Sequence, residues 1–505
     1  MCQTNRICSS RPLPATPVQQ IIQAQTITVD TSTFLETGSA REIGAAIAAG
    51  QLTSVDVTRW YLARIDQLNG GGKGLNCVRN ISPLALEEAG RADSELRAGR
   101  LRGPLHGVPY LLKDNIFTRD GNPASAGSRA LANFVPPYEA TLVARLRDAG
   151  AVLLGKTNMT EFADFVSDVM PSAFSGAGGE VRNPLGPAYG RGLGSSVGSA
   201  GAVAARLCAF AIGTETQNSI QAPALHSSVV GFKPSVGRVS RHGVIPLVPS
   251  QDAPGPLALT VDDAALVADA LAGADMNDTA TLAGFVATTG QRAGGLRVGV
   301  PRRHIADAVM TPARVAVFEH VLEALSRAGV TVVDPCDLPS AEALHAVRSC
   351  VFRTEFKESL NTMLGALRPC GLASLEDIIA WNRAHPDAIP YGQSLLEAAD
   401  ATTGILTPQY IDDRGRDIAL SRSAGIGAAM DAGAVDVLLS PMSAAAKCTG
   451  KAGAPVLALP AGLDADGLPF GVTVYAMPGE DATVLQAARV IDSIIGKRVN
   501  PQNRL

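Results

Sequence analysis

The chain has 505 residues, of which 46% are hydrophobic and 18% charged, a composition that can bury a large core and is unlike that of a disordered protein. A formal net charge of −4 supplies no basic stripe to neutralise phosphates, so nucleic acid is not an expected partner. No apolar run reaches the roughly 18 residues that a membrane-spanning helix needs, so no membrane is expected either.

The first 30 residues carry Arg6 and Arg11 but no continuous apolar stretch after them, which argues against an intact secretory signal and for a cytoplasmic protein. We read residues 1–34 as a flexible N-terminal extension, 35–497 as a single domain without a linker-like break, and 498–505 as a C-terminal tail. The eight cysteines are scattered singly, with no C-x-x-C and no histidine at ligand spacing. They read as reduced, buried thiols, and no metal site is expected.

In chain order, Thr53 or Ser54 caps a helix with Asp56 in its first turn and Val57, Tyr61, Ile65 and Leu68 on one face. A second helical run over 84–101 ends at Gly103-Pro104, after which 108–112 reads as a buried strand leading to Lys113. Residues 141–149 form a helix closed by Gly150, and 151–154 a fully buried strand. The same unit returns where Thr311-Pro312 opens a helix, Gly329 stops it and 330–333 is a strand. Further short apolar strands are expected at 298–300, 437–439, 456–459 and 472–475. Helices alternating with such strands predict an α/β fold with a large mixed, mostly parallel β-sheet covered by helices on both faces.

Two nucleotide-binding patterns fail on context. The stretch from Gly150 to Gly155-Lys156-Thr157 has phosphate-loop spacing, but its intervening Ala-Val-Leu-Leu is itself a strand and cannot form an open cradle. The run Gly190-Arg191-Gly192-Leu193-Gly194 lacks the third glycine of a dinucleotide fold, Val197 standing in its place. No cofactor is expected.

Two loops carry serines between small residues. One is Gly192-Leu193-Gly194-Ser195-Ser196-Val197-Gly198, and the other is Gly213-Thr214-Glu215-Thr216-Gln217-Asn218-Ser219, with an alanine-rich helix between them. Such loops let the backbone turn its N–H groups towards a substrate, as an oxyanion hole requires, yet by residue type they read equally well as tight polar turns. None of the seven histidines stands in a G-x-S-x-G elbow or another spacing that pairs it with a serine. A lysine can replace histidine as base if burial disfavours its charged form, and Lys113, after an apolar strand, is placed for that.

Taken together, the segments 107–115, 192–200 and 213–220 resemble the amidase-signature family with its Ser-cisSer-Lys triad. The resemblance continues through Gly155-Lys156-Thr157-Asn158-Met159-Thr160-Glu161-Phe162, residues 231–240, Gly255-Pro256, residues 455–462 and Gly467-Leu468-Pro469-Phe470-Gly471, leaving about 335–430 without family text. The family places its bridging serine 24 residues before its nucleophile, the separation of Ser195 from Ser219. The resemblance therefore implies that Lys113 is the neutral base, that Ser195 follows a cis peptide bond and relays the proton, and that Ser219 attacks the carbonyl. The N–H groups of Thr216, Gln217, Asn218 and Ser219 would hold the oxyanion. Where the family has Gly-Thr-Asp-Thr-Gly-Gly-Ser, this chain has Glu215 for Asp and Gln217-Asn218 for the glycine pair. A left-handed glycine conformation there would strain Gln217 more than Asn218.

The text around 213–216, 239–246 and 250–256 looks most like the peptide-amidase branch, which removes C-terminal amide nitrogen from peptides. The function expected is hydrolysis of a carboxamide, on a small molecule or a peptide C-terminus, through an acyl-enzyme on Ser219, by a monomer or homodimer. An amidase-like component of a tRNA-dependent amidotransferase, or a catalytically impaired relative that only binds, is the alternative.

Overall fold

A computed structural model of the protein describes residues 29–71, 74–282, 295–303 and 310–501. Its strands are β1 (Val78–Ile81), β2 (Pro109–Lys113), β3 (Val152–Thr157), a small hairpin of β4 (Phe174–Ser175) and β5 (Gly179–Glu180), β6 (Phe210–Glu215), β7 (Val230–Lys233), β8 (Ala253–Ala258), β9 (Arg297–Gly299), β10 (Thr331–Val333), β11 (Val437–Pro441), β12 (Val456–Leu463) and β13 (Pro469–Tyr475). All but the hairpin join one mixed sheet in the order β1-β3-β2-β6-β8-β7-β12-β13-β11-β9-β10. Parallel pairs form two blocks, β3-β2-β6 and β11-β9-β10. Antiparallel pairs connect the blocks through β8, β7, β12 and β13.

Every residue of β2, β3, β6, β7, β8 and β11 is buried. Successive side chains of a strand point to opposite faces, so unbroken burial means that both faces are covered. Helix Val197–Ala204 packs on β2, β6 and β8, helix Gln221–His226 on β7, β12 and β13, and helix Asp481–Ile495 on β11, β12 and β13. The α/β sheet with helices on both faces expected from the sequence is present.

The expected helices lie close to their predicted places, at Ser54–Asn69 with Thr53 as its cap, Ala85–Arg97, Thr141–Asp148 and Pro312–Arg327. The rejected phosphate loop is strand β3, and Lys156 is buried with its ammonium on the carbonyl of Ile116. Strands β1, β6, β7 and β8 and the β4–β5 hairpin escape sequence reading. The run Ala-Pro-Gly-Pro-Leu-Ala of β8 holds two prolines, which ordinarily exclude a central strand. Pro254 and Pro256 face Thr214 and Ile212 of β6.

Of the expected extension, residues 1–28 lie outside the described residues. A helix, Val29–Thr37, begins inside it, burying Leu35 and accepting the Trp60 indole N–H at Ser32 Oγ (3.1 Å). At the other end the start of the expected tail is docked, the Val499 N–H donating to Ser228 Oγ at 2.8 Å and Pro501 being buried. The six described cysteines are all free, with Cys77, Cys208, Cys336 and Cys448 buried, Cys350 half-buried and Cys370 exposed. No helix among the described residues is long and apolar enough to cross a membrane.

Helix Val197–Ala204 can approach the sheet because Gly198 has no side chain. A Cβ there would strike the carbonyl oxygens of Asn158 and, at 2.6 Å, of Cys77. Gly198→Ala should therefore cost about 1–3 kcal/mol through overpacking, read as a lower denaturation midpoint. An unchanged midpoint would show that this contact gives way freely.

Candidate active site

Strands β2 and β6 are parallel neighbours, with Leu112 beside Ile212, so their C-terminal ends open at the same edge, where ligands of α/β sheets characteristically bind. Lys113 ends β2 and Thr214-Glu215 ends β6. The polypeptide then turns through 216–219 into helix Gln221–His226. The loop before helix Val197–Ala204 crosses beside that turn, its Ser196 N–H donating to the carbonyl of Ser219 at 3.1 Å. Gly213 permits this closeness, since a Cβ on it would meet Ser196 Oγ at 2.7 Å.

Lys113 is fully buried, and so is Ser195; Ser219 keeps 5% of its surface open. The Lys113 Nζ lies 2.7 Å from Ser195 Oγ, 3.1 Å from the carbonyl oxygen of Thr214 and 3.0 Å from Thr214 Oγ1. Asn115 Nδ2 donates to the same Thr214 hydroxyl at 3.0 Å. Burial lowers the pKa of Lys113 to about 7, against the opposing pull of Glu215, Asp252 and Asp164. A neutral amine has two N–H donors and one lone pair. The two Thr214 oxygens take the donors, which leaves the lone pair facing Ser195 Oγ. The bond between Gly194 and Ser195 is cis.

Two carboxylates shape the turn that carries Ser219. Glu215, wholly buried, accepts the N–H groups of Ile220 (2.7 Å) and Gln221 (2.8 Å) and the Gln221 side-chain amide (2.5 Å). Asp252 accepts the Thr216 hydroxyl at 2.6 Å. Among the described residues, no hydrogen bond uses the backbone N–H of Thr216, Gln217, Asn218 or Ser219. Those four donors remain free for an incoming oxygen.

The residues that replace the glycine pair are unstrained: neither Gln217 nor Asn218 has a positive φ. The strain expected for Gln217 does not arise. Their side chains serve as ties, Gln217 Nε2 donating to Gln251 Oε1 at 3.3 Å and Asn218 Nδ2 to the Gly192 carbonyl at 2.6 Å. The second bond links the two serine loops directly.

Comparison with known proteins decides the family. The model of the family described as Amidase matches residues 56–452. The chain belongs to the amidase family. A probable amidase of Arabidopsis thaliana is 32% identical over 93% of this chain and 92% of its own length. One component of the glutamyl-tRNA(Gln) amidotransferase of Myxococcus xanthus is 34% identical over 89% of this chain and 96% of its own. The native peptide amidase of Stenotrophomonas maltophilia superposes with a TM-score of 0.84 at 39% identity, covering 93% of this chain and 99% of that one. This amidase is accordingly a hydrolase of carbon–nitrogen bonds in linear amides.

The fold brings Lys113, Ser195, Ser219 and the turn 216–218 to one edge of the sheet. Sequence reasoning passed over Thr214, Asn115, Glu215 and Asp252 as parts of the site. All four stand in segments already quoted for the resemblance, but Asp252 meets Thr216 only through the pairing of β6 with β8. Glu215→Ala would strand three buried donors and should lower stability by about 3 kcal/mol, measured by urea denaturation. A variant as stable as the parent would remove Glu215 from this role.

Proposed function

We propose that the amidase hydrolyses carboxamides by a serine relay in which Lys113 is the base, Ser195 the bridge and Ser219 the nucleophile. The observation that carries the reading is the buried Lys113 amine, lowered to a pKa of about 7 and held 2.7 Å from Ser195 Oγ. As Ser219 Oγ attacks the amide carbon, its proton passes to Ser195 and the Ser195 proton to Lys113. The oxyanion moves into the free N–H groups of 216–219, and each such donor is typically worth about 3 kcal/mol of barrier. Ser195 then delivers a proton to the departing nitrogen, which leaves as ammonia or amine. Water entering along the same relay cleaves the acyl-enzyme to the acid. The chemistry calls on no metal or cofactor.

For the substrate we propose a peptide C-terminal amide or a small amide of similar shape, taken up by a monomer or homodimer. Support comes from the 39% identity to the peptide amidase across nearly the whole of both chains. The likeness to the amidotransferase component favours a second reading, ammonia delivery within an assembly. The purified chain separates them: release of ammonia from simple amides without ATP or partners is the outcome expected of a hydrolase, and dependence on both would favour the assembly.

Ser219→Ala should abolish turnover and Lys113→Ala should lower kcat/KM by at least about 10³-fold. Near-normal hydrolysis by either variant would refute the relay. Because Lys113 works in its neutral form, kcat/KM should rise with pH through about 7 and level off above it. A profile with its optimum near pH 4 would contradict a lysine base.

A further inference from the structure

Beside the Ser219 turn lies a cavity of about 380 Å³ whose charge the hydrolytic chemistry leaves unexplained. One wall is made by Gly192 and Leu193 of the Ser195 loop together with Gln217 and Asn218, and the segment after β11 supplies another. Three lysine or arginine side chains line it, Arg191, Arg314 and Lys447, and among the described residues no carboxylate does. Arg314 is paired with Asp464 at 3.3 Å, both side chains being buried. Arg191, which is exposed, and Lys447, which is half-buried, enter no ion pair with a described residue.

Further positive charge converges on Lys447. Its Nζ donates to the carbonyl of His345 at 3.1 Å, and Arg348 Nη1 donates to the same oxygen at 3.0 Å. Burial, and after it the cations Lys451 and Arg348, lower the pKa of Lys447, with Asp417 alone opposing. Asp417 is already engaged in an ion pair with Lys451. Uncompensated cations in a partly enclosed space repel one another more strongly than in open water, and a bound anion relieves that repulsion.

Resting on the amide-hydrolase reading, we propose that this cavity selects amides whose acyl portion carries a carboxylate, with Lys447 and Arg191 receiving it. Peptide amides ending in an acidic residue and half-amides of dicarboxylic acids are the substrate class. When ammonia is the leaving group, the whole remaining substrate body belongs to the acyl portion, so its side chain must be accommodated beside the serine loops. The cavity touches both loops at 192–193 and 217–218.

The test compares ammonia release from the amides of N-acetylglutamate, N-acetylnorvaline and N-acetyllysine, using the full chain and its Lys447→Gln, Arg191→Gln and Lys447→Glu variants. For the parent, kcat/KM should favour the glutamate amide over the norvaline amide by at least about tenfold, the effect of one charge-assisted contact. Each glutamine variant should shrink that ratio severalfold, and Lys447→Glu should turn the preference towards the lysine amide. Equal rates for the three amides in the parent, or variants that slow all three by one factor, would overturn the selectivity while leaving amide hydrolysis standing. Failure of the parent to release ammonia from any of them would overturn the amidase reading and the proposal with it.

Discussion

A lysine ammonium removed from water loses its hydration and must either find a counter-charge or give up its proton. Among the described residues no carboxylate touches the Lys113 amine, whose three contacts are two hydroxyls and a carbonyl. That set suits a neutral amine, since it offers acceptors for two N–H groups and a hydroxyl for the lone pair. The arrangement of the surrounding strands can be understood as what maintains this condition. Strand β2 carries the lysine inward between β3 and β6, β6 supplies both oxygens of Thr214, and helix Val197–Ala204 closes over the end with Ser195 and Ser196.

Two other buried lysines show what distinguishes Lys113. Burial also lowers the pKa values of Lys156 and Lys233, to about 8 in each case. Lys156 rests on the carbonyl of Ile116, and Lys233 on those of Ala454 (2.5 Å) and Pro234 (3.4 Å). Among the described residues, neither contacts a hydroxyl that could pass a proton on. Burial alone thus makes an amine that deprotonates readily, and what sets Lys113 apart is the serine hydroxyl 2.7 Å from it.

Strands β2, β3 and β9 to β13 are legible in the sequence because they are apolar runs, several of them beside capped helices, as at Thr53, Gly150 and Thr311. The sequence does not reveal β6, β8 and β7, which lie side by side at the centre of the sheet. Pro254 and Pro256 argue against a strand when only neighbours in sequence are considered, and Phe210–Glu215 shows no alternation because both of its faces are buried. The candidate site was legible as a set of residues: the separation of Ser195 from Ser219 and the apolar lead into Lys113 both stand in the text. Its supports were not. Thr214, Asn115 and Asp252 matter through contacts across strands, and the tie from Asn218 to Gly192 emerges only when the two serine loops lie side by side.

Whether Lys113 is neutral where the enzyme works is tested most directly by its own titration. In protein labelled with ¹³C at lysine Cε, the Lys113 resonance, assigned by its loss in Lys113→Met, should shift with a midpoint near pH 7. A Lys113 signal that stays in the protonated position up to pH 10 would contradict the account.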